Sequence, residues 1–356
     1  MSDEAIPEAD RAGDAPHPRL TRRLYGQAAA EAAFLDAWNG GRPHHAWLLT
    51  GPRGVGKATL AWRIARFLLA DPPRLAATLD VADGHPVLAR IRALSEPRLM
   101  LLRRPWDEKR RRLRAEITVE EARRLAPFFG LAAGGRRVVI VDAADDLNRS
   151  ASNAILKLLE EPPAGATLLL VSHQPTRLLP TIRSRCRVLR LAPLGADDLA
   201  GAVRDAGGTT EAAGGLALLA EGSVGEALAL AETGEAVYAA LVRLFGAPMD
   251  HGAARRLADS CAGRAGEPRL EAVLALVPRL LHRAARAGTL APGPEAVPGE
   301  AATLARLAPD LQAARRLAEA APALAARGAH GRAVNVEAAA LVWDQLAGVE
   351  TAARGA

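Results

Sequence analysis

At 356 residues the chain has room for two or three domains, each with a core of its own. Its hydrophobic content is 49%, yet no run reaches the roughly 18–20 apolar residues of a membrane span, and two cysteines exclude a disulfide framework and a four-cysteine zinc site. A net charge of +6 points only weakly to nucleic acid, because all but three of the 46 basic residues are arginines in an Ala- and Gly-crowded chain, a bias that GC-rich coding also produces.

Residues 1–20 are acidic, then Pro- and Ala-rich, with no apolar h-region. They are expected to form a disordered tail, not a secretory signal, and the whole to be a soluble cytoplasmic protein. Gln27–Trp38 reads as a helix closed by Asn39-Gly40-Gly41, and Ala46–Thr50 as a short buried strand. The strand runs into Gly51-Pro52-Arg53-Gly54-Val55-Gly56-Lys57, which has the spacing of a phosphate-binding P-loop, and Lys57–Leu69 follows as a helix. Backbone N–H groups and the positive end of that helix would face an anion, with glycines letting the backbone approach. Gly51, Gly54 and Gly56 are therefore read as the turn, and Lys57 as the cation on the phosphates. The residue after the lysine normally supplies a hydroxyl to Mg²⁺. Here it is Ala58; Thr59 lies about 100° further round the helix, where it does not replace that oxygen but is placed to touch an α-phosphate.

Residues 71–97 read as loop, and Arg98–Leu102 as a strand. The basic run Arg103–Arg114 contains Trp106; a solvated charged loop is the simpler reading, stacking on a nucleic-acid base the alternative. Thr118 and Glu121 form a capping box for a helix that ends near Gly130, with a turn at Gly134-Gly135. Val138–Val141 is an apolar strand closing on Asp142, the position that supports a metal in a P-loop ATPase; the next residue, where a hydrolytic enzyme carries Glu, is Ala143. A helix over Arg149–Glu160 stops at Pro162-Pro163, and Thr167–Val171 and Val188–Leu191 complete a set of buried strands alternating with helices. That alternation predicts a parallel sheet covered on both faces. Beyond Pro193-Leu194 only Ala/Leu-rich helical segments follow, interrupted by a loop at Gly288–Glu300. His44-His45, beside the first strand, are read either as packing or as a contact for a base edge.

Between Asn153 and Cys186 the sequence NAILKLLEEPPAGATLLLVSHQPTRLLPTIRSRC, with its LLEEPP junction and Ser184-Arg185-Cys186, resembles the clamp-loader subunits of bacterial DNA polymerase III, as do the P-loop and the residues before it. The resemblance covers roughly residues 21–230 and implies a RecA-like AAA+ P-loop domain over 21–193, a small helical lid over 194–235 and an all-α collar that assembles subunits over 236–356. Such α/β modules occur as gamma/tau motors and as a non-hydrolysing partner of the delta-prime kind. Ala58, Ala143 and Gly225, the last standing where motors carry an arginine, favour the second; a gamma/tau-like motor that tolerates the three is the alternative, and a P-loop adaptor unrelated to replication a more distant one. The resemblance further implies that Arg185 reaches a neighbour's ATP, that Asp142 and Ser172 border a degenerate nucleotide site, and that gamma/tau, delta, the sliding clamp and primed DNA are partners. Retention of Lys57 leaves ATP or ADP binding open. Relatives often carry a four-cysteine zinc module after the P-loop helix; with no cysteine between Lys57 and Cys186, no zinc is expected. Cys186 is expected to pack, not react.

Overall fold

The computed structural model describes residues 6–11, 15–41, 43–130, 135–208, 213–290 and 293–355. Five strands form one parallel sheet: β1 (Ala46–Thr50), β2 (Leu99–Leu102), β3 (Arg137–Asp142), β4 (Ala166–Ser172) and β5 (Arg187–Arg190). The last, expected as a buried strand over Val188–Leu191, is an edge strand in which only Leu189 is buried. The strand order is β2-β3-β4-β1-β5, so β4 is inserted between the strand that enters the P-loop and the strand that ends at Asp142. Register follows the period of two. Trp47, Leu49, Val138, Ile140, Leu169 and Val171 enter the core on one face, and Ala46, Leu48, Val139, Val141, Leu168 and Leu170 the core on the other.

Helices α1 (Ala28–Asn39) and α2 (Lys57–Leu69) bury Phe34, Trp38, Leu60, Ile64 and Leu68 in the first core. Helix α3 (Arg149–Glu160) covers the opposite face with Ile155 and Leu159, its first turn capped by Asn148, whose side chain accepts from the Ala151 N–H at 2.9 Å. The helix expected over 119–130 is two short ones, Val119–Arg123 and Leu125–Gly130; the capping box forms at Thr118, and Gly134 of the expected turn lies outside the described residues. Within the expected loop 71–97 stands a helix, Pro86–Arg92. Pro86 starts it: a proline at the first helical position loses no hydrogen bond, and His85 caps the turn.

Two compact units divide the chain. One comprises Met1–Gly207 and Gly222–Gly225; the other comprises Gly208–Glu221 and Glu226–Ala356. The segment 194–235 thus contributes residues to both. Among the described residues no strand occurs beyond β5, and no helix is long and apolar enough to cross a membrane. The second unit is helical, built on the long helices Gly263–Ala287, Leu311–Ala333 and Ala338–Arg354, whose Leu276, Leu280, Leu317, Leu324 and Leu346 share one core. Residues 291–292 of the interrupting loop are outside the described residues.

Candidate phosphate-binding site

Strand β1 ends at Thr50, and the chain must turn sharply to start α2 at Lys57. Gly51 (φ +145°), Gly54 (φ +74°) and Gly56 (φ +99°) make the turn in the half of conformational space that L side chains avoid. Space forbids a side chain as well: a Cβ on Gly51 would lie 2.3 Å from the Leu191 carbonyl oxygen, and one on Gly54 2.0 Å from Ser223 Oγ. Lys57 Nζ donates back to the carbonyls of Gly51 (2.7 Å) and Pro52. Burial pushes the lysine down to about 8, with the carboxylates of Asp142 and Asp145 opposing that shift.

A cavity of about 300 Å³ opens above the loop, and Gly54, Gly56, Lys57, Thr59 and Asp142 line it. Ala58 and Gly225 also line it, presenting a methyl group and bare backbone where a hydroxyl and a guanidinium would stand in a motor. Asp142 is buried at the end of β3, and its carboxyl is pushed up to about 7, first by burial and then by the charge of Asp10, with Lys57 opposing. Ala143, also buried, brings no proton chemistry. The glycine cradle and Lys57 fit a nucleotide's phosphates; the side chains after Lys57 and Asp142 do not fit metal-supported hydrolysis.

Gly51 and Ser172 are not among the residues lining this cavity. The Ser172 hydroxyl is committed elsewhere: fully buried, it donates to Asp145 Oδ1 at 2.7 Å, and Asp145 also accepts the N–H groups of His173 (2.5 Å) and Gln174 (3.2 Å). Asp145, which fixes the end of β4 relative to β3, was not picked out from the sequence. Its spacing three residues after Asp142 was the available sign. His173 lines the cavity as a neutral ring, pushed down to about 4 by burial and by Lys57 and Arg53. His45 Nε2 donates to the Leu159 carbonyl, 3.0 Å away, and the ring stacks on His44, so the pair packs.

Within the segment read as a disordered tail, Glu8–Asp10 and His17–Arg19 are half-buried or buried, while Ile6 and Leu20 are exposed. Asp10 has no exposed side-chain surface, lines the cavity, and forms ion pairs with Arg103 and with His17 Nε2 (3.0 Å); Glu8 binds Arg19 at 2.6 Å and Arg103 at 3.0 Å. The two carboxylates share Arg103, some 95 positions away, a pairing that local composition does not reveal. Residues 1–5 and 12–14 lie outside the described residues.

Arg185 follows the helix Pro180–Ser184 and does not line its own chain's cavity. Nη2 meets Glu160 Oε1 at 2.9 Å and Nη1 donates to the Thr181 carbonyl at 3.1 Å. The pair is exposed (37% and 49%), a setting in which an ion pair contributes about 0–1 kcal/mol, too little to hold the guanidinium against a phosphate. Burial pushes the neighbouring Cys186 thiol up to about 12, leaving it unreactive.

Residues 26–195 match the family model described as DNA polymerase III, delta subunit. Over 159 residues the chain is 42% identical to DNA polymerase III subunit delta' of Pseudomonas aeruginosa, a match covering 44% of this chain and 45% of that one. That segment, just under half of the chain, is similar to this DNA polymerase III family. Against subunit delta' of Escherichia coli the identity is 33% over 160 residues, 45% of this chain and 46% of that one. Against subunit tau of Salmonella typhimurium it is 30% over 182 residues, 51% of this chain and 27% of that one. The chain thus spans under half the length of these relatives. The family segment contains the P-loop, Asp142 and Arg185, and leaves out the helices of the second unit.

Asp142 provides a test of the cavity's electrostatics. Its folded pKa lies above the ordinary carboxylate value, so the folded state holds the proton more tightly than the unfolded chain. The resulting stability is complete at low pH and falls as pH rises towards about 7. Asp142→Asn removes that dependence. Urea unfolding at pH 5 and pH 7.5 is expected to show the variant losing less stability than the parent, by roughly 1–3 kcal/mol. Parallel pH profiles would contradict the assignment.

Proposed function

We propose that this chain is the non-hydrolysing stator of a DNA polymerase III clamp loader, of the delta-prime kind. In this reading residues 21–193 are the AAA+ module, 194–235 its lid and 236–356 the collar that joins the ring. Gamma/tau and delta subunits are its neighbours. The ring loads the sliding clamp on primed DNA in the cytoplasm, while Arg185 is donated in trans to ATP held by an adjacent subunit.

One observation carries this reading. The phosphate cavity keeps its glycine cradle and Lys57 but presents Ala58 and Gly225 at its lining and Ala143 after Asp142, while Arg185 stays off that cavity and exposed. A guanidinium suits the proposed role because its planar donors remain charged as phosphoryl charge develops. The family match and the identities to delta' subunits support the same reading.

The purified chain is expected to hydrolyse ATP no faster than its Lys57→Ala variant, by release of labelled phosphate, whether or not it binds ATP or ADP. Turnover above that variant, unaffected by Arg185→Ala, would favour a gamma/tau-like motor.

A further inference from the structure

Directly after β2 the chain forms a small antiparallel hairpin, Trp106–Asp107 with Arg112–Leu113, in the register Trp106 to Leu113 and Asp107 to Arg112. The Arg114 N–H donates to the Pro105 carbonyl at 2.9 Å and extends the pairing. The Asp107 carboxylate accepts the Arg110 N–H at 3.0 Å, and Arg111 adopts φ +47°, which closes the four-residue tip Glu108–Arg111.

The hairpin sorts its charges. At the base each cation has a carboxylate: Arg103 has Glu8 and Asp10, Arg104 has Asp146 at 3.1 Å, and Arg114 has Asp107 at 3.8 Å. At and beside the tip Lys109, Arg110 and Arg112 are exposed cations, with Glu108 as the acidic residue next to them. A charge run that serves solubility alone needs no ordered turn and no neutralised base. This arrangement instead places a compact positive point on paired strands. Trp106 is half-buried, and one aromatic of that kind is no stacking platform, so the chemistry presented is charge without base readout.

We infer that the tip of the 106–113 hairpin is a contact for the phosphate backbone of DNA, independent of sequence. The inference rests on the hairpin and stands apart from the stator reading: it is tested on the chain alone, without ring partners.

The probe is a fluorescent duplex of about 20 base pairs, titrated with the full chain by anisotropy between about 50 and 200 mM salt. Each phosphate neutralised adds about 0.9 to the steepness of log K against log salt on duplex DNA and about 0.7 on a single strand. Replacing three tip cations (K109S, R110S and R112S together) is expected to flatten the duplex slope by about 2–3 and that of a matching single strand by about 2. The charge-preserving triple K109R, R110K and R112K keeps the parental slope. A third triple, R255S, R256S and R264S, removes three exposed arginines of the second unit and leaves the slope within about 0.5 of the parent.

An unchanged slope in the tip variant would overturn the inference. Equal flattening by the second-unit triple would do so too, because net charge alone would then explain the binding. Flattening by the charge-preserving triple would assign the effect to hairpin folding and also overturn it.

Discussion

Glu300→Ala is expected to destabilise the second unit by about 3–5 kcal/mol, the loss that follows when one member of a buried, hydrogen-bonded ion pair is removed. Glu300 is fully buried at the start of the helix Glu300–Leu307. It accepts the Tyr238 hydroxyl at 2.6 Å, the Arg283 Nη2–H at 2.9 Å, the Arg283 Nε–H, and the Ala296 N–H at 2.5 Å. The carboxylate therefore ties three segments of the helical unit together. Without it, the Arg283 guanidinium keeps only the Pro294 carbonyl as an acceptor, and the fully buried Tyr238 hydroxyl loses its acceptor where water does not replace it. Burial alone would raise the pKa of Glu300, but the hydrogen bonds from Arg283, Tyr238 and Ala296 outweigh it and hold the carboxyl below its ordinary value. The sign of the pH dependence follows. The contribution is complete above the unfolded value of about 4.5 and is lost as pH falls through the lower folded value. Urea unfolding followed by far-UV circular dichroism is expected to show the full difference at pH 7 and a smaller one below about pH 4.5. A difference under about 1 kcal/mol at pH 7, the size of a neutral surface contact, would contradict the account.

Glu300 also shows where the sequence stops being legible. It ends a Gly- and Pro-rich stretch that reads as loop, and nothing local says that it caps a helix and neutralises an arginine 17 positions earlier. The same holds for Asp10 with Arg103 and for Arg185 with Glu160, where the partner is chosen by the fold and not by neighbouring residues. What local pattern does encode came through. The apolar run closing on Asp142 is a buried parallel strand, found over Arg137–Asp142, and the helices over 57–69 and 149–160 follow from their 3–4 spacing and their glycine and proline boundaries. Pro86 misled in the other direction, because a proline that usually marks a loop also starts a helix. At the phosphate site, spacing located the loop, Lys57 and Asp142. It did not show that Ser172 is spent on Asp145, or that the N-terminal segment supplies a buried carboxylate to the cavity.

The proposed function places the largest catalytic effect on a residue outside its own chain's cavity. In other nucleotide hydrolases an arginine supplied to a phosphoryl group is worth about 10³–10⁵ in rate. Arg185 is exposed and is held by a pair worth about 0–1 kcal/mol, so releasing it to a neighbour's phosphate costs little. Replacing it by alanine takes away an exposed side chain, so folding is expected to stay intact. The decisive measurement is DNA- and clamp-stimulated ATP hydrolysis by a ring reconstituted from this chain with gamma/tau and delta subunits, comparing the parent with Arg185→Ala at equal assembly judged by gel filtration. The account predicts an intact ring in which turnover at the site served by Arg185 falls by about 10³-fold or more. Unchanged turnover in an intact ring would contradict it.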